Sequence, residues 1–363
     1  MKIAIHHREN CFSDRWIEYC QQNKINYKLV NCYDSDIIKQ LEDCDALMWH
    51  HHHFNYKDVL FAKQLLYSVE LSGKKVFPNF NTGWHFDDKL GQKYLFEAMG
   101  VPYVTTNVFY EKEDAIDWIK SATFPKVFKL RGGAGALNVS LVRTEKEAIC
   151  FINKAFGRGF SQFDRLGFLK DKIRKVRAGN EPFFLGILKG IAALFVPIEF
   201  TKMRGKEKGY VYFQDFIPNN AFDIRVVVVG NKAFANKRMN RENDFRASGS
   251  RNYLFEKKEI DERCIQIAFE VNRKLNSQST YYDFVFDEAN NPLILEISYC
   301  SVVHKYDKCP GYWDENLNFY EGKFNPQYWH IENLISTIKN SLGAIGALPV
   351  IHFFKSFNLE TVL

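Results

Sequence analysis

In the stretch FPKVFKLRGGAG, residues 124–135, a lysine stands before a cluster of glycines, and the run that follows, ALNVSLVR, is strand-like. Glycine lets backbone amides crowd an anion, and lysine and arginine supply the countercharge, so the stretch reads as a nucleotide-phosphate site. Its order excludes two common architectures. A P-loop places the lysine after the glycines and opens a helix there. A dinucleotide fingerprint needs GxGxxG at a strand-to-helix turn, which RGGAGALNVS does not supply. What remains is a glycine loop between two strands, with Lys129 on the first.

The chain has 363 residues, too many for one simple core, and 46% apolar and 16% aromatic content is ample for globular packing. A net charge of +6 suits anionic ligands but is too diffuse to indicate nucleic acid. The opening MKIAIHHREN has an apolar run too short for a signal peptide. The eight cysteines form no CxxC pair, so reduced thiols and a cytoplasmic location are expected.

Strand-like runs at 2–6, 26–32, 45–50 and 74–79 alternate with helical patterns at 13–23, 34–42 and 56–72, which predicts a small parallel α/β domain over residues 1–85. A helix over 86–99 stops at Gly100. Residues 86–210 are expected to form a second lobe with the glycine loop and an insertion over about 155–209. Residues 211–340 are expected to form a third, with strands at 210–217 and 223–238, a helix at 261–275 and a hairpin at 281–298. A tail would follow over 341–363.

Five elements in order over about 86–300 resemble the ATP-grasp superfamily, in particular the branch of ribosomal-protein glutamate ligase and glutathione synthetase. They are DDKLGQKYLFEAMGVPYVTT (87–106), FPKVFKLRGGAG, YFQDFIP (212–218), DIRVVVVGNKAFANKR with NDFRASGS (223–250), and YDFVFDEANNPLILEIS. The resemblance implies an α/β ATP-grasp fold, in which two α+β lobes clasp ATP behind an N-terminal parallel domain. It implies an ATP-dependent carboxylate–amine ligase working through an acyl phosphate, with ATP and Mg²⁺ as cofactors. Lys89 and Lys129 would hold phosphates, and Arg131, Gly132, Gly133 and Gly135 would form the closing loop. Gln214, Asp215, Phe216 and Ile217 would form the adenine hinge. Arg225 and Arg246 would stabilise the acyl phosphate; Arg238 is the third arginine of that region.

The hairpin can also be read from geometry. A four-residue turn at 288–291 pairs Asp287 with Pro292, Val285 with Ile294 and Asp283 with Glu296. Asp283, Glu296 and Ser298 then share one face, with Phe284, Phe286, Leu293 and Leu295 on the other. Opposed carboxylates ask for a cation between them, and Mg²⁺ prefers such oxygen ligands beside phosphates. Ser298 departs from the family's asparagine, which weakens that ligand.

Other features stay open. In WHHHHFN (49–55) consecutive histidines alternate faces, so at most two converge, and facing substrate or ordinary packing fits better than a metal site. The basic and apolar segment 169–200 reads as a core helix or as a surface docking on anionic membrane, which would make the protein peripheral to a membrane. A carboxylate acid, such as an anionic sugar or glycan precursor, and an amine are the expected partners. A phosphotransferase on the same fold, or an ATP-binding module without turnover, would share the nucleotide residues.

Overall fold

The computed structural model describes residues 1–133, 138–161, 173, 205–241, 244–247, 249, 250 and 252–345. Gly135 and nearly all of the 169–200 segment lie outside them.

The N-terminal sheet has strands β1 (Lys2–His6), β2 (Asn26–Val30), β3 (Ala46–Trp49) and β4 (Lys75–Phe77), all parallel in the order β2-β1-β3-β4. Every residue of β3 is buried because helices cover both faces of the sheet, which is why that strand is a continuous apolar run. Ile3, Ile5 and Met48 meet Phe12 and Trp16 of helix α1 (Phe12–Gln22) on one side. Ala4 and Leu47 meet Ala62 and Leu66 on the other, beyond the short α2 (Ile37–Gln40), from α3 (Tyr56–Leu71). The expected elements are present, their ends differing from the expected ones by at most three residues.

After α4 (Phe80–Gly83) comes α5 (Lys89–Met99), capped by the Asp88 carboxylate on the Gly91 amide at 3.0 Å. The smaller lobe is an antiparallel sheet of β5 (Thr106–Phe109), β6 (Lys126–Lys129), β7 (Val139–Val142) and a later strand, Val211–Asp215. Helices α6 (Lys112–Ile119) and α7 (Glu145–Phe156) pack on one face through Phe128, Ala148, Ile152 and Phe213. Strands β8 (Phe160–Ser161) and β9 (Lys206–Glu207) pair before the chain enters β10, that same Val211–Asp215.

The larger lobe has β11 (Phe222–Val229) and β12 (Lys232–Met239), a hairpin closing at Gly230 and Asn231 as expected. Gly230 has φ +58°, and an added Cβ would lie 2.4 Å from the Asn333 amide nitrogen, so any other residue is strained there and displaces Asn333. Strand β13 (Tyr253–Leu254) borders β12, and α8 (Glu262–Leu275) packs below the sheet. Strands β14 (Ser279–Phe286) and β15 (Pro292–Ser298) complete the acidic hairpin, and β16 (Gly311–Asp314) and β17 (Phe319–Glu321) extend the other edge.

Two elements pack away from the lobes expected for them. Phe96 of α5 and nearby Val101 join the core of the larger lobe, against Ile224 and Ile294, rather than that of the smaller. The C-terminal helix α9 (Pro326–Ile345) sends Ile331, Leu334 and Ile338 into the N-terminal domain against Phe12 and Trp16. It also runs on to Ile345, into the expected tail. Neither contact is legible in the sequence, because an amphipathic pattern identifies a buried face and not what covers it.

Candidate active site

The acidic hairpin holds a register that alternation alone does not give. Phe286 faces Pro292, Val285 faces Leu293 and Phe284 faces Ile294, one residue off the expected ladder. A bulge between Asp283 and Phe284 then absorbs Leu295, so Asp283 faces Glu296 after all. The bulge corrects the expected faces. Ile294 enters the core, while Leu295 and Glu296, adjacent in sequence, both line a cleft between the lobes.

That cleft encloses about 950 Å³ including its open mouth, enough for a nucleotide. Val127, Val139, Phe222, Val285 and Leu295 make apolar walls, and the hinge residues Gln214–Ile217 run along it. Lys89 and Lys129 reach it from α5 and β6. Lys129 is buried; its ammonium donates to Gln214 Oε1 at 2.6 Å and has no carboxylate within 4 Å among the described residues. Burial pushes it down to about 8, with nearby Glu296 offsetting part of that. Gln214 is therefore a lysine partner, its Nε2 turned to Thr106 and the Leu295 carbonyl at 3.3 and 3.4 Å. Asp215 accepts from Lys126 at 2.7 Å.

The start of the glycine loop is latched to the DDK element. The Lys89 ammonium donates to the Gly133 carbonyl at 2.8 Å, and the Gly133 amide donates to Asp87 at 2.7 Å. Arg131 turns to Asp88 at 2.5 Å, and neither it nor Gly132 lines the cleft, whereas Gly133 does.

At the inner end, the carboxylates and arginines form one network. Arg225 donates to both oxygens of Asp283 at 2.5 and 2.6 Å, and Arg238 to Asp283 at 2.7 Å and to both oxygens of Asp223. Burial would raise the Asp283 carboxyl, but Arg225 and Arg238 outweigh it and hold it well below the usual carboxylate range. Arg238 and Asp223, missed as site residues, follow from the register of the β11–β12 hairpin, which pairs them directly. Arg225 lies behind the cleft wall, and Arg246 lines it while bound to Asp244 at 2.7–3.0 Å.

The donor set fits one magnesium ion. Asp283 has three of about four lone-pair sites in use, and Glu296 presents a carboxylate that is 39% exposed, 3.9 Å from Lys89. Magnesium takes one or two carboxylates and completes its shell with phosphate and water. The hydroxyl of Ser298 donates to the Cys300 carbonyl and accepts from the Cys300 amide, both at 3.2 Å, leaving one lone pair.

The histidine run does not converge. His50 stacks on Phe12 at 3.8 Å, His51 packs near Tyr299, and both are buried. Burial and the charge of Arg8 lower His6 to about 4. Burial likewise holds His50 and His51 well below the usual imidazole value, so neither supplies a positive charge at neutral pH.

Residues 202–311 match the RimK-like ATP-grasp domain family. The chain has the ATP-grasp fold. The ATP-grasp fold recurs in a RimK-domain protein of Sphaerobacter thermophilus, 16% identical over 82% of this chain and 90% of that one, with a TM-score of 0.50. It recurs in D-alanine–D-alanine ligase from Bacillus anthracis complexed with ATP, at 11% identity, 94% and 99% coverage and a TM-score of 0.52. The biotin carboxylase domain of Hydrogenobacter thermophilus 2-oxoglutarate carboxylase, bound to MgADP, gives 13% identity, 92% and 69% coverage and a TM-score of 0.55. No curated protein sequence matches this chain. Among the described residues no helix is long and apolar enough to cross a membrane.

Proposed function

We propose that this ATP-grasp protein is an ATP-dependent carboxylate–amine ligase. The observation that supports it most is the meeting, in one cleft, of Lys89 and Lys129 with the opposed carboxylates Asp283 and Glu296. Lys129 is a buried cation without an anionic partner of its own, and the phosphates of ATP would supply one. Lys89 and the Gly133 segment would hold the phosphates from the other side, with the base between the apolar walls and the 214–217 hinge. Asp283 and Glu296 would hold magnesium, which neutralises phosphate charge when bound.

In the reaction, a carboxylate oxygen of the acid attacks the γ-phosphorus and ADP leaves, giving an acyl phosphate. The amine nitrogen then attacks the acyl carbon, inorganic phosphate leaves, and the amide forms as the nitrogen gives up a proton. Charge builds on the transferring phosphoryl group; Arg246, on the cleft wall, and Arg225, behind it, would be the cations that stabilise it. The acid is proposed to carry further anionic groups, as a sugar acid or other glycan precursor would. Contact of segment 169–200 with an anionic membrane surface belongs to the same reading, and liposome co-sedimentation at low and high salt tests it.

Hydroxylamine traps acyl phosphates as hydroxamates whatever the natural amine. Incubation with Mg·ATP, a panel of acids and hydroxylamine should give ADP and one hydroxamate detectable by mass. A stable phosphorylated product formed without any amine would instead indicate a phosphotransferase. Nucleotide binding without ADP release from any acid would favour a module without turnover, a reading that Ser298, engaged with the backbone of Cys300, supports.

A further inference from the structure

Beyond the cleft wall, the face of the larger sheet that carries Arg225 continues as a polar surface. Register places Asn236 beside Arg225, Asp223 beside Arg238, and Arg238 beside Tyr253 on the next strand. The turn Val303–Tyr306 after the acidic hairpin covers this face. Its Lys305 ammonium stands 4.4 Å from the centre of the Tyr253 ring, and the Tyr306 hydroxyl lies beside Arg225.

The charges of this cluster do not balance. Among the described residues Arg225, Arg238 and Lys305 are three cations facing two carboxylates, Asp223 and Asp283, and the arginines already bond both oxygens of each. Lys305 has no ion pair among the described residues, and its ammonium lies over the Tyr253 and Tyr306 rings. Burial, then Arg225 and Arg238, push its ammonium down to about 7. Hydrogen-bonding capacity is also unspent here. Among the described residues the fully buried Asn236 amide has a hydrogen-bond partner for neither atom, and the enclosed Tyr306 hydroxyl has none in good geometry. A surplus cation with idle donors around it is complementary to an anionic group with several acceptor oxygens.

We propose that Lys305 is a specificity-determining residue that, with Arg225 and the Tyr306 hydroxyl, binds a second anionic group of the acid substrate. The inference rests on the ligase reading and narrows it: the acid carries, besides the carboxylate that is phosphorylated, another carboxylate or a phosphate. A monoanionic acid would leave Lys305 uncompensated.

The test is binding to the full-length protein saturated with Mg²⁺ and a non-hydrolysable ATP analogue. Glutarate and 3-phosphonopropionate are titrated against butyrate by calorimetry, at matched ionic strength. At least one dianion should bind tenfold or more tightly than butyrate, and the stronger of the two identifies the second group. Lys305→Gln should remove that preference, and Lys305→Arg should keep most of it. Equal binding of dianions and butyrate by the wild type overturns the proposal, and so does an undiminished preference in Lys305→Gln. The circular dichroism spectrum and melting temperature of each variant show that it is folded. Failure of the nucleotide analogue to bind would count against the ligase reading alone, because the anion comparison is then run without nucleotide and decides this proposal by itself.

Discussion

Arg15 of α1 donates through one nitrogen to both carboxylate oxygens of Asp307, at 2.7 and 2.6 Å, across 292 positions of sequence. The same guanidinium reaches His304 at 2.9 Å and Gln327 at 3.0 Å. The N-terminal domain thereby holds the turn that carries Lys305 and Tyr306. Arg15→Ala should cost about 1–2 kcal/mol, since the pair is charge-assisted but Asp307 is 40% exposed. It should raise KM for the acid several-fold and leave ATP affinity unchanged, as steady-state kinetics and nucleotide titration would reveal.

The two carboxylates of the hairpin should behave differently when neutralised. Asp283→Asn leaves Arg225 and Arg238 with a buried deficit of negative charge, and breaking such a network costs about 3–5 kcal/mol. Glu296 is half-open to solvent, so Glu296→Gln should change stability by less than about 1 kcal/mol while abolishing turnover. Urea denaturation of the pair, with ADP release measured alongside, separates a structural carboxylate from a purely chemical one.

Nucleotide binding should take up a proton near Lys129. Its folded value, about 8, lies below the ordinary lysine range, so above that pH the free protein has lost the proton that the phosphates favour. Affinity for a non-hydrolysable ATP analogue should therefore fall as pH rises beyond about 8, approaching tenfold per pH unit. Lys129→Arg stays protonated and should flatten the profile. A wild-type profile flat from pH 7 to 10 would contradict the assignment.

Asn236 should trade stability for function. Its amide is fully buried with neither atom bonded, a burden of about 1–3 kcal/mol. Asn236→Val should raise the melting temperature, and in the hydroxamate assay it should lower kcat/KM by displacing Arg225 next to it. A variant less stable than the wild type would show that the amide is satisfied in solution.

Much of this architecture is written locally. The position of Lys129 before its glycines, the Gly230–Asn231 turn and the alternation of the first 80 residues each depend on neighbours a few positions away, and each is found where the sequence places it. What escaped the sequence depends on distant partners. The slip at Leu295 needs the hinge strand, whose Gln214 amide meets the Leu295 carbonyl. The covering of Phe12 by Ile331 needs the far end of the chain. The histidines left substrate-facing and packing readings open because their type is visible in a sequence and their burial is not.

The irregularity at Leu295 acts as a parity correction. Residues on the turn side of it pair with one constant offset and those beyond it with another, so one strand presents two consecutive side chains to the nucleotide cleft. Excising Leu295 would leave an unbroken ladder with Asp283 and Glu296 still opposed. The acidic pair and the apolar wall beside it are thus separable by a single deletion: the hairpin could keep its cation-binding face while surrendering part of its grip on the base.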